Sequence, residues 1–450
     1  MSLFTPRLRA TLFFLCFAGF LASCATQATD SATQSSNDAI ATERAIATGG
    51  QAASNQYVIL IGLDGLRNDA IDRFPDDAPN LRALAERGVR SKGMVPAMPS
   101  VTFVNFYSLA TGLYSENTGV VSNSTYSRHL DRVMARSEHS LSEWWGGEPI
   151  WVTAEKQGVK TGTMFWLGSE AEIRGVRPTY WLPYEHMKPY DARTEEVLSW
   201  LAKPLAERPR FVTIYFHAVD TAAHIYGVGS EEERKAIAQV DAQVGALVAG
   251  VEKLGLGDRA NYIVVSDHGM ANVPSTNVIN LDQFISFDDV FIPEFEGPDG
   301  AGRSPLIHIF EDGGDIEAIY DALAEASLMN HFTVYRRENL PARWHANNSD
   351  RTGDLVVVAD VGWLLFGEGL TAKYSAVPLG GVHGYDRHAP SMLATFIGKG
   401  PRFVDGKVAE PFDNVEIYGI IANILEIEPT ETDGDISNVE YFMVPASIEK

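Results

Sequence analysis

Five short apolar runs without polar alternation set the strongest limit on how this chain folds. They are Tyr57–Leu63, 160–166, Phe211–Phe216, 261–266 and 392–397. A strand with one wet face alternates apolar and polar side chains. A continuous run fits a strand buried on both faces, as in a parallel sheet covered by helices. Between the third and fourth runs, apolar residues recur at 237, 240, 244, 247, 248, 251 and 254. That is the spacing of one helix face, and it predicts a helix over 231–254 that Gly255 and Gly257 end. Strand–helix–strand alternation predicts an α/β fold: a mostly parallel central sheet flanked by helices. The stretch 281–379 differs. It has long polar loops, a helical run over 315–326, and β-like pieces at 306–310 and Leu355–Ala359. It reads as an inserted α+β cap, which leaves 57–280 and 380–450 as the main α/β domain.

The N-terminus reads as an address. Arg7 and Arg9 precede the apolar run 10–22, and Leu21-Ala22-Ser23-Cys24 follows. A basic region, a short apolar region and small residues before a cysteine predict a lipoprotein signal peptide over 1–23. Cys24 would then carry the lipid. Residues 25–56 are rich in Ala, Thr, Ser, Gln and Asn and contain no aromatic residue, so they cannot bury enough to fold. The segment 24–56 reads as a lipidated cysteine and flexible tether with a reach of roughly 30 Å. The body is expected to be exported and anchored to a membrane, facing the periplasm or the cell surface. The two cysteines, Cys16 and Cys24, both fall in this leader region, so no disulfide framework staples the body. Acidic side chains outnumber basic ones 59 to 36, a net charge of −23. That argues against binding duplex nucleic acid. It leaves room for a site that handles one phosphate, where bound metal ions invert the local field.

The chemistry-bearing residues fall where the runs end, and in α/β sheets ligands bind at the carboxyl ends of the strands. Asp64 follows the first run, Asp220 and His224 follow the third, and Asp267 and His268 follow the fourth. His383 lies in the glycine-rich segment Gly380-Gly381-Val382-His383-Gly384 ahead of the fifth. One Asp after a strand is ordinarily a turn residue. Three Asp and three His from four segments, all mapping to one sheet edge, make the mixed carboxylate–imidazole set of a zinc-like ion. Thr102 is the candidate nucleophile. Pro99 and Ser100 read as a helix start and Gly112 as its stop, which places Thr102 in a first turn where free N–H groups favour an anion.

Several motifs in order carry a family resemblance. They include ILIGLDGLRNDAI (59–71), MPSVTFVNFYSLATGLYSENTGVVSN (98–123), YFHAVDTAAHIYG (215–227), VVSDHGM (264–270) and GGVHGYD (380–386). The chain resembles a bacterial nucleotide pyrophosphatase/phosphodiesterase of the alkaline phosphatase superfamily. That resemblance implies an alkaline phosphatase-like fold and two zinc ions. One would be held by Asp220, His224 and His383, the other by Asp64, Asp267, His268 and the Thr102 oxygen. It implies a covalent phospho-threonine at Thr102. It also implies a phosphate contact from Asn123, and a nucleobase slot formed by Phe103 and Tyr215. The chain departs from the family pattern at Val104 and Phe106, where Pro and His are common. It departs again at Leu167, where Pro often follows the Trp. No Arg or Lys lies between Lys92 and Arg128, which favours a diester or pyrophosphate over a doubly charged monoester. The alternatives on the same metal core are a choline-lipid phosphodiesterase, a phosphonate hydrolase and a phosphomonoesterase. An anchored, metal-containing binding protein is the alternative from another class. A sulfatase is disfavoured because its Cys/Ser-x-Pro-x-Arg signature is absent.

Overall fold

The computed structural model describes residues 56–298, 301–367 and 380–445. The segments read as a signal peptide and a tether, with Cys24 between them, lie outside the described residues as far as residue 55. Six strands of the central sheet come first: β1 (Tyr57–Leu63), β2 (Val89–Ser91), β3 (Thr161–Met164), β4 (Tyr180–Trp181), β5 (Phe211–Phe216) and β6 (Ala260–Val265). A separate four-stranded sheet follows, built from β7 (Val290–Phe291), β8 (Leu306–Glu311), β9 (Phe332–Arg336) and β10 (Leu355–Ala359). Then β11 (Phe396–Lys399) and β12 (Lys407–Ala409) return to the first group. The central sheet has eight strands in the order β12-β2-β11-β6-β1-β5-β3-β4.

Every residue of β1, β5 and β6 is buried. Their apolar runs are continuous because neither face meets water, and truncating one such side chain to Ala costs about 2–5 kcal/mol. All pairings in this sheet are parallel except those of β11 with β6 and with β2. The fifth apolar run is therefore displaced and reversed relative to a parallel reading. Pro390–Met392 forms a short 3-10 turn, and the strand begins only at Phe396. The loop ahead of it lies at the edge where β1, β5 and β6 end, so a strand leaving that loop runs back. Apolarity encodes burial and says nothing about direction.

Five helices matter here: α1 (Thr102–Thr111), α2 (Ala218–Tyr226), α3 (Glu231–Lys253), α4 (Ile316–Ser327) and α5 (Glu416–Leu425). The Ser230 side chain accepts from Glu233 N at 3.1 Å to start α3, and Gly255 in the left-handed region follows its end. Between β8 and β9, Asp315 accepts from Glu317 N and Ala318 N to start α4. The antiparallel sheet β7–β10 and α4 enclose a second apolar core. This core also takes in Ala271, Val273, Ile279, Tyr385 and Met392, so its packing extends past 281–379 at both ends. Among the described residues, no helix is long and apolar enough to cross a membrane.

Candidate metal and nucleophile site

Three strand ends are tied together by two backbone hydrogen bonds and one from backbone to carboxylate. Asp64 N donates to Phe216 O at 3.0 Å, Asp220 N donates to Asp64 O at 3.1 Å, and Gly65 N donates to Asp267 Oδ1 at 3.1 Å. This lacing fixes three carboxylates at the carboxyl ends of β1, β5 and β6. It depends on close approach. Gly65 has φ +69°, and a Cβ there would lie 2.9 Å from Asp220 Cα. At Gly380, φ is again +69°, and a Cβ would fall 1.9 Å from His224 O.

The Thr102 loop is held as firmly. The buried Asn105 side chain accepts from Ala97 N at 2.6 Å and donates to Pro99 O at 3.0 Å and Val101 O at 2.9 Å. Ser100 Oγ donates to Tyr385 O at 2.8 Å. The helix starts at Thr102, two residues after the expected start, with Val101 before it and no side-chain cap of its own. Asn123 supplies one from a distance, its Oδ1 accepting from Phe103 N at 2.9 Å. That leaves the Asn123 Nδ2 donor for a ligand.

Two ligand groups form among the described residues: Asp64, Asp267 and His268, all buried, and Asp220, His224 and His383, of which only His383 is buried. In each group one donor atom per residue lies within 4.8 Å of the others. Every imidazole is oriented the same way. The Nδ1 atoms of His224, His268 and His383 lie 2.8, 2.9 and 2.9 Å from the carbonyls of Gly381, Gly269 and Ser100. A carbonyl only accepts, so each Nδ1 carries the proton and each Nε2 presents a lone pair. Those lone pairs meet further acceptors. His268 Nε2 is 2.9 Å from Asp267 Oδ2, His224 Nε2 is 3.3 Å from Asp220 Oδ1, and His383 Nε2 is 3.1 Å from His224 Nε2. Asp64 Oδ1, Asp220 Oδ1 and Asp267 Oδ2 are buried without a hydrogen-bond partner. Acceptors facing acceptors need cations, and a mixed set of carboxylates and imidazoles suits zinc.

Without a cation the set competes for protons. Burial, then the Asp267 and Asp220 charges, push Asp64 well above the usual carboxylate range. Burial opposes charge on Asp220 and Asp267, yet the histidines beside them hold both below that range. Burial and the neighbouring His268 push His383 down to about 3. For His268 and His224, burial works against the proton, but Asp267 and Asp220 outweigh it and raise both. The rings of His268 and His383, one from each group, stack at 3.5 Å between centroids, 10° from parallel. Thr102 Oγ1 lies 3.3 Å from His268 Nε2.

Two cavities adjoin this set. The first, about 700 Å³, is lined by Thr102, Phe103, Tyr184 and Tyr215, with Arg136, His139 and His186 among the polar groups. Tyr215 is 7% exposed, and its hydroxyl donates to Asp64 Oδ2. Tyr184 is 44% exposed and bonds His186 Nδ1 at 2.9 Å through its hydroxyl. The second cavity, about 400 Å³, is lined by Asn123, His224, His383 and Arg303. Arg303 is close enough that its charge opposes the proton on His224. Arg136 and Arg303 escape the reading of the 92–128 interval because tertiary folding delivers them from outside it. Tyr184, His139 and His186 gave no sequence signal either, since no ligand-like spacing surrounds them. Of the three departures from the family pattern, Leu167 lines the first cavity. Val104 and Phe106 are fully buried and line neither of these two cavities.

The profile of the type I phosphodiesterase / nucleotide pyrophosphatase family matches residues 58–386, and the chain belongs to that family. It is 34% identical over 388 residues to a venom phosphodiesterase of Crotalus durissus collilineatus, covering 86% of this chain and 46% of that one. It is 35% identical over 389 residues to an uncharacterized pyrophosphatase/phosphodiesterase of Schizosaccharomyces pombe, covering 84% and 78%. The chain spans about half the length of most of the curated relatives it matches. Among solved structures, murine ectonucleotide pyrophosphatase/phosphodiesterase 5 superposes with a TM-score of 0.79 at 28% identity, covering 86% of this chain and 100% of that one. An inactive variant of that murine protein, in complex with AMP, superposes with a TM-score of 0.79 at 27% identity, covering 87% and 100%. The described fold is the alkaline phosphatase-like fold of these proteins.

Proposed function

We propose that the chain is a two-zinc nucleotide pyrophosphatase/phosphodiesterase that cleaves phosphodiester or pyrophosphate bonds through a covalent phospho-threonine at Thr102. The observation that carries this reading is the Thr102 hydroxyl in the first turn of α1, 3.3 Å from His268 Nε2. Asp220, His224 and His383 would hold one ion; Asp64, Asp267, His268 and the Thr102 oxygen would hold the other. Zinc, when bound, supplies Lewis acidity to the hydroxyl, to a phosphate oxygen and to the leaving oxygen. The chain does the remainder. First-turn N–H groups and the helix dipole favour an anion beside Thr102. Asn123, held through Oδ1, donates its Nδ2 to a non-bridging phosphate oxygen. The Tyr215 hydroxyl holds one oxygen of Asp64. Thr102 Oγ1 would give up its proton and bond to phosphorus as the bond to the leaving alcohol or phosphate breaks and that oxygen is protonated, and water would then add to phosphorus, returning a proton to Thr102 Oγ1 and releasing the nucleotide.

Phe103, Tyr184 and Tyr215 offer rings to the first cavity, and stacking a base on such a ring is worth about 1–3 kcal/mol. The AMP complex of the murine relative supports a nucleotide as occupant. Two cavities beside different ligand groups suit a phosphorus with two substituents, which favours a diester or anhydride over a monoester. The test is turnover by the purified, zinc-supplemented protein. The panel is bis-p-nitrophenyl phosphate, p-nitrophenyl phosphate, and the nitrophenyl esters of a nucleoside monophosphate and of choline phosphate. The nucleoside ester should be turned over fastest. Preference for the choline ester or the monoester selects a rival chemistry, and no turnover at all selects a binding protein.

The N-terminal address belongs to the same reading: a bacterial, exported lipoprotein anchored through Cys24. Labelled fatty acid should enter the wild type and not Cys24→Ser; an unlabelled wild type refutes the anchor.

A further inference from the structure

One wall of the first cavity has no regular secondary structure of its own. Tyr184 and His186 line that wall, and both sit in the segment 182–189 between β4 and the helix Tyr190–Leu201. Pro183 and Pro189 restrict the segment's backbone and remove two N–H donors, so it cannot hold itself by a regular ladder. Beside it stands the end of β5. The ladder between β3 and β5 runs out at the pair Met164–Ile214, because Phe165 takes φ +61° and turns the chain away. The Tyr215 carbonyl lies one residue past that pair, and a buried carbonyl needs a donor.

Arg193 serves both places. It comes from the helix Tyr190–Leu201 and is 0% exposed. Its Nη1 donates to Tyr215 O at 2.8 Å, its Nη2 to His186 O at 2.9 Å and its Nε to Lys188 O at 3.0 Å. The rings of Phe165 and Tyr190 lie 5.0 and 4.8 Å from its guanidinium carbon. Three residues that line the cavity, Phe165, His186 and Tyr215, therefore touch one buried ion. None of its three acceptors is charged, and a guanidinium taken out of water is costly unless it is well hydrogen-bonded. A planar fork with donors in fixed directions holds three carbonyls at once, and an ammonium does not match that geometry.

We propose that Arg193 is a positioning residue for substrate binding: it clamps the Tyr184–His186 segment to the end of β5 and so sets the width of the first cavity. This rests on the reading that a base-bearing half of the substrate occupies that cavity, and deepens it by assigning the fit to a side chain that touches no substrate. A loosened clamp lets Tyr184 drift from Tyr215, whose ring centroids stand 6.2 Å apart at 61°. The ligand groups keep their places, because β1, β5 and β6 are laced to one another without Arg193.

The test is a double-mutant cycle on the zinc-supplemented protein, pairing Arg193→Lys with Tyr184→Ala. It reads kcat and KM for the nitrophenyl ester of a nucleoside monophosphate and for methyl p-nitrophenyl phosphate, which has no base. Arg193→Lys should raise KM for the nucleoside ester about 10-fold, on the scale of one base–ring stack, while its kcat and the rate on the base-free diester hold. In the Tyr184→Ala background the same substitution should change that KM little, because the wall it positions is already gone. Arg193→Gln, which drops the charge as well, should repeat the pattern with a larger KM. Where neither variant folds, Tyr190→Leu strips one ring from the guanidinium and gives the same readout. Equal losses on the two substrates, or KM effects that multiply in the double variant, show an arginine that only supports the fold. Either result overturns the clamp and leaves the base in the cavity. A Tyr184→Ala variant that treats both substrates as the wild type does takes the base out of the cavity and overturns that reading and the clamp together.

Discussion

The two ligand groups are built on different physical terms. Asp64, Asp267 and His268 sit at strand ends inside the core, with side chains 4%, 0% and 0% exposed. Asp220 and His224 ride one turn apart on α2, 15% and 39% exposed, and face His383 on a glycine-rich loop. The first group is positioned by the sheet; the second is positioned by a helix and a loop that lean on it. The difference teaches where rigidity and access are divided. The buried group has the Thr102 hydroxyl beside it, 3.3 Å from His268 Nε2, and the other group is the one more open to solvent.

Four measurements break or sharpen that contrast. The largest effect belongs to Thr102→Ala, which removes the attacking atom from the buried side. Diester turnover should fall by about 1000-fold or more while zinc content and the folded spectrum hold. Retention of a tenth of the rate refutes Thr102 as nucleophile.

The next effect separates the groups themselves. Asp267→Asn and His224→Ala should each leave about one zinc per chain by elemental analysis and cost at least about 100-fold in activity. Excess zinc should restore part of the His224→Ala activity, because that group is open to solvent, and none in Asp267→Asn. A chelator should likewise remove zinc in two phases, the first from the Asp220 group. A single phase shows that exposure does not govern release.

A smaller effect distinguishes the rings of the first cavity. Tyr184→Ala should lower kcat/KM for a nucleoside monophosphate ester by about 10-fold and spare a base-free diester. Tyr215→Phe should lower both alike, because what it removes is the hydroxyl on Asp64. If Tyr215→Ala lowers only the base-bearing substrate, the stacking role moves to Tyr215.

The smallest effect is in stability against pH. His217, just ahead of α2, is pushed down to about 4 by burial, with the charges of His186 and Arg193 adding to it. The unfolded chain then binds more protons than the folded one below about pH 6.5. Stability falls as pH drops from there to about 4 and levels off beneath. His217→Gln should flatten this stretch of a urea-midpoint profile; an unaltered slope assigns the acid sensitivity elsewhere.

How much of this was legible in the sequence follows from what each signal encodes. Tyr57–Leu63 and Phe211–Phe216 were readable to the residue because burial on both faces writes an unbroken apolar run. Of the candidate donors, Asp64 and Asp267 were readable because strands end just ahead of them, whereas Asp220 and His224 on α2 and His383 in a glycine-rich loop were readable only as members of a set with them. The reversal of β11 was not, since pairing direction depends on where the preceding loop lies. Arg136, which lines the first cavity with Thr102, and Arg303, which lines the second with His224 and His383, were invisible because only folding joins them to those residues. The stacking of His268 on His383 was equally hidden, since neither ring's partner is local.

The glycines at 65 and 380 bear on whether such a site can be transplanted. Six candidate donor side chains and a threonine can be copied onto another scaffold by matching rotamers. The separations between their segments cannot, because Gly65 lets one backbone touch the backbone that carries Asp220, and Gly380 lets another touch His224 O. An alanine at either position forces those segments apart by more than the tolerance of a metal–ligand bond. A graft of this chemistry therefore has to carry two bare backbone positions along with its donors. A search for the same site in an unrelated chain would gain more from glycine beside the Asp that follows a strand than from another histidine.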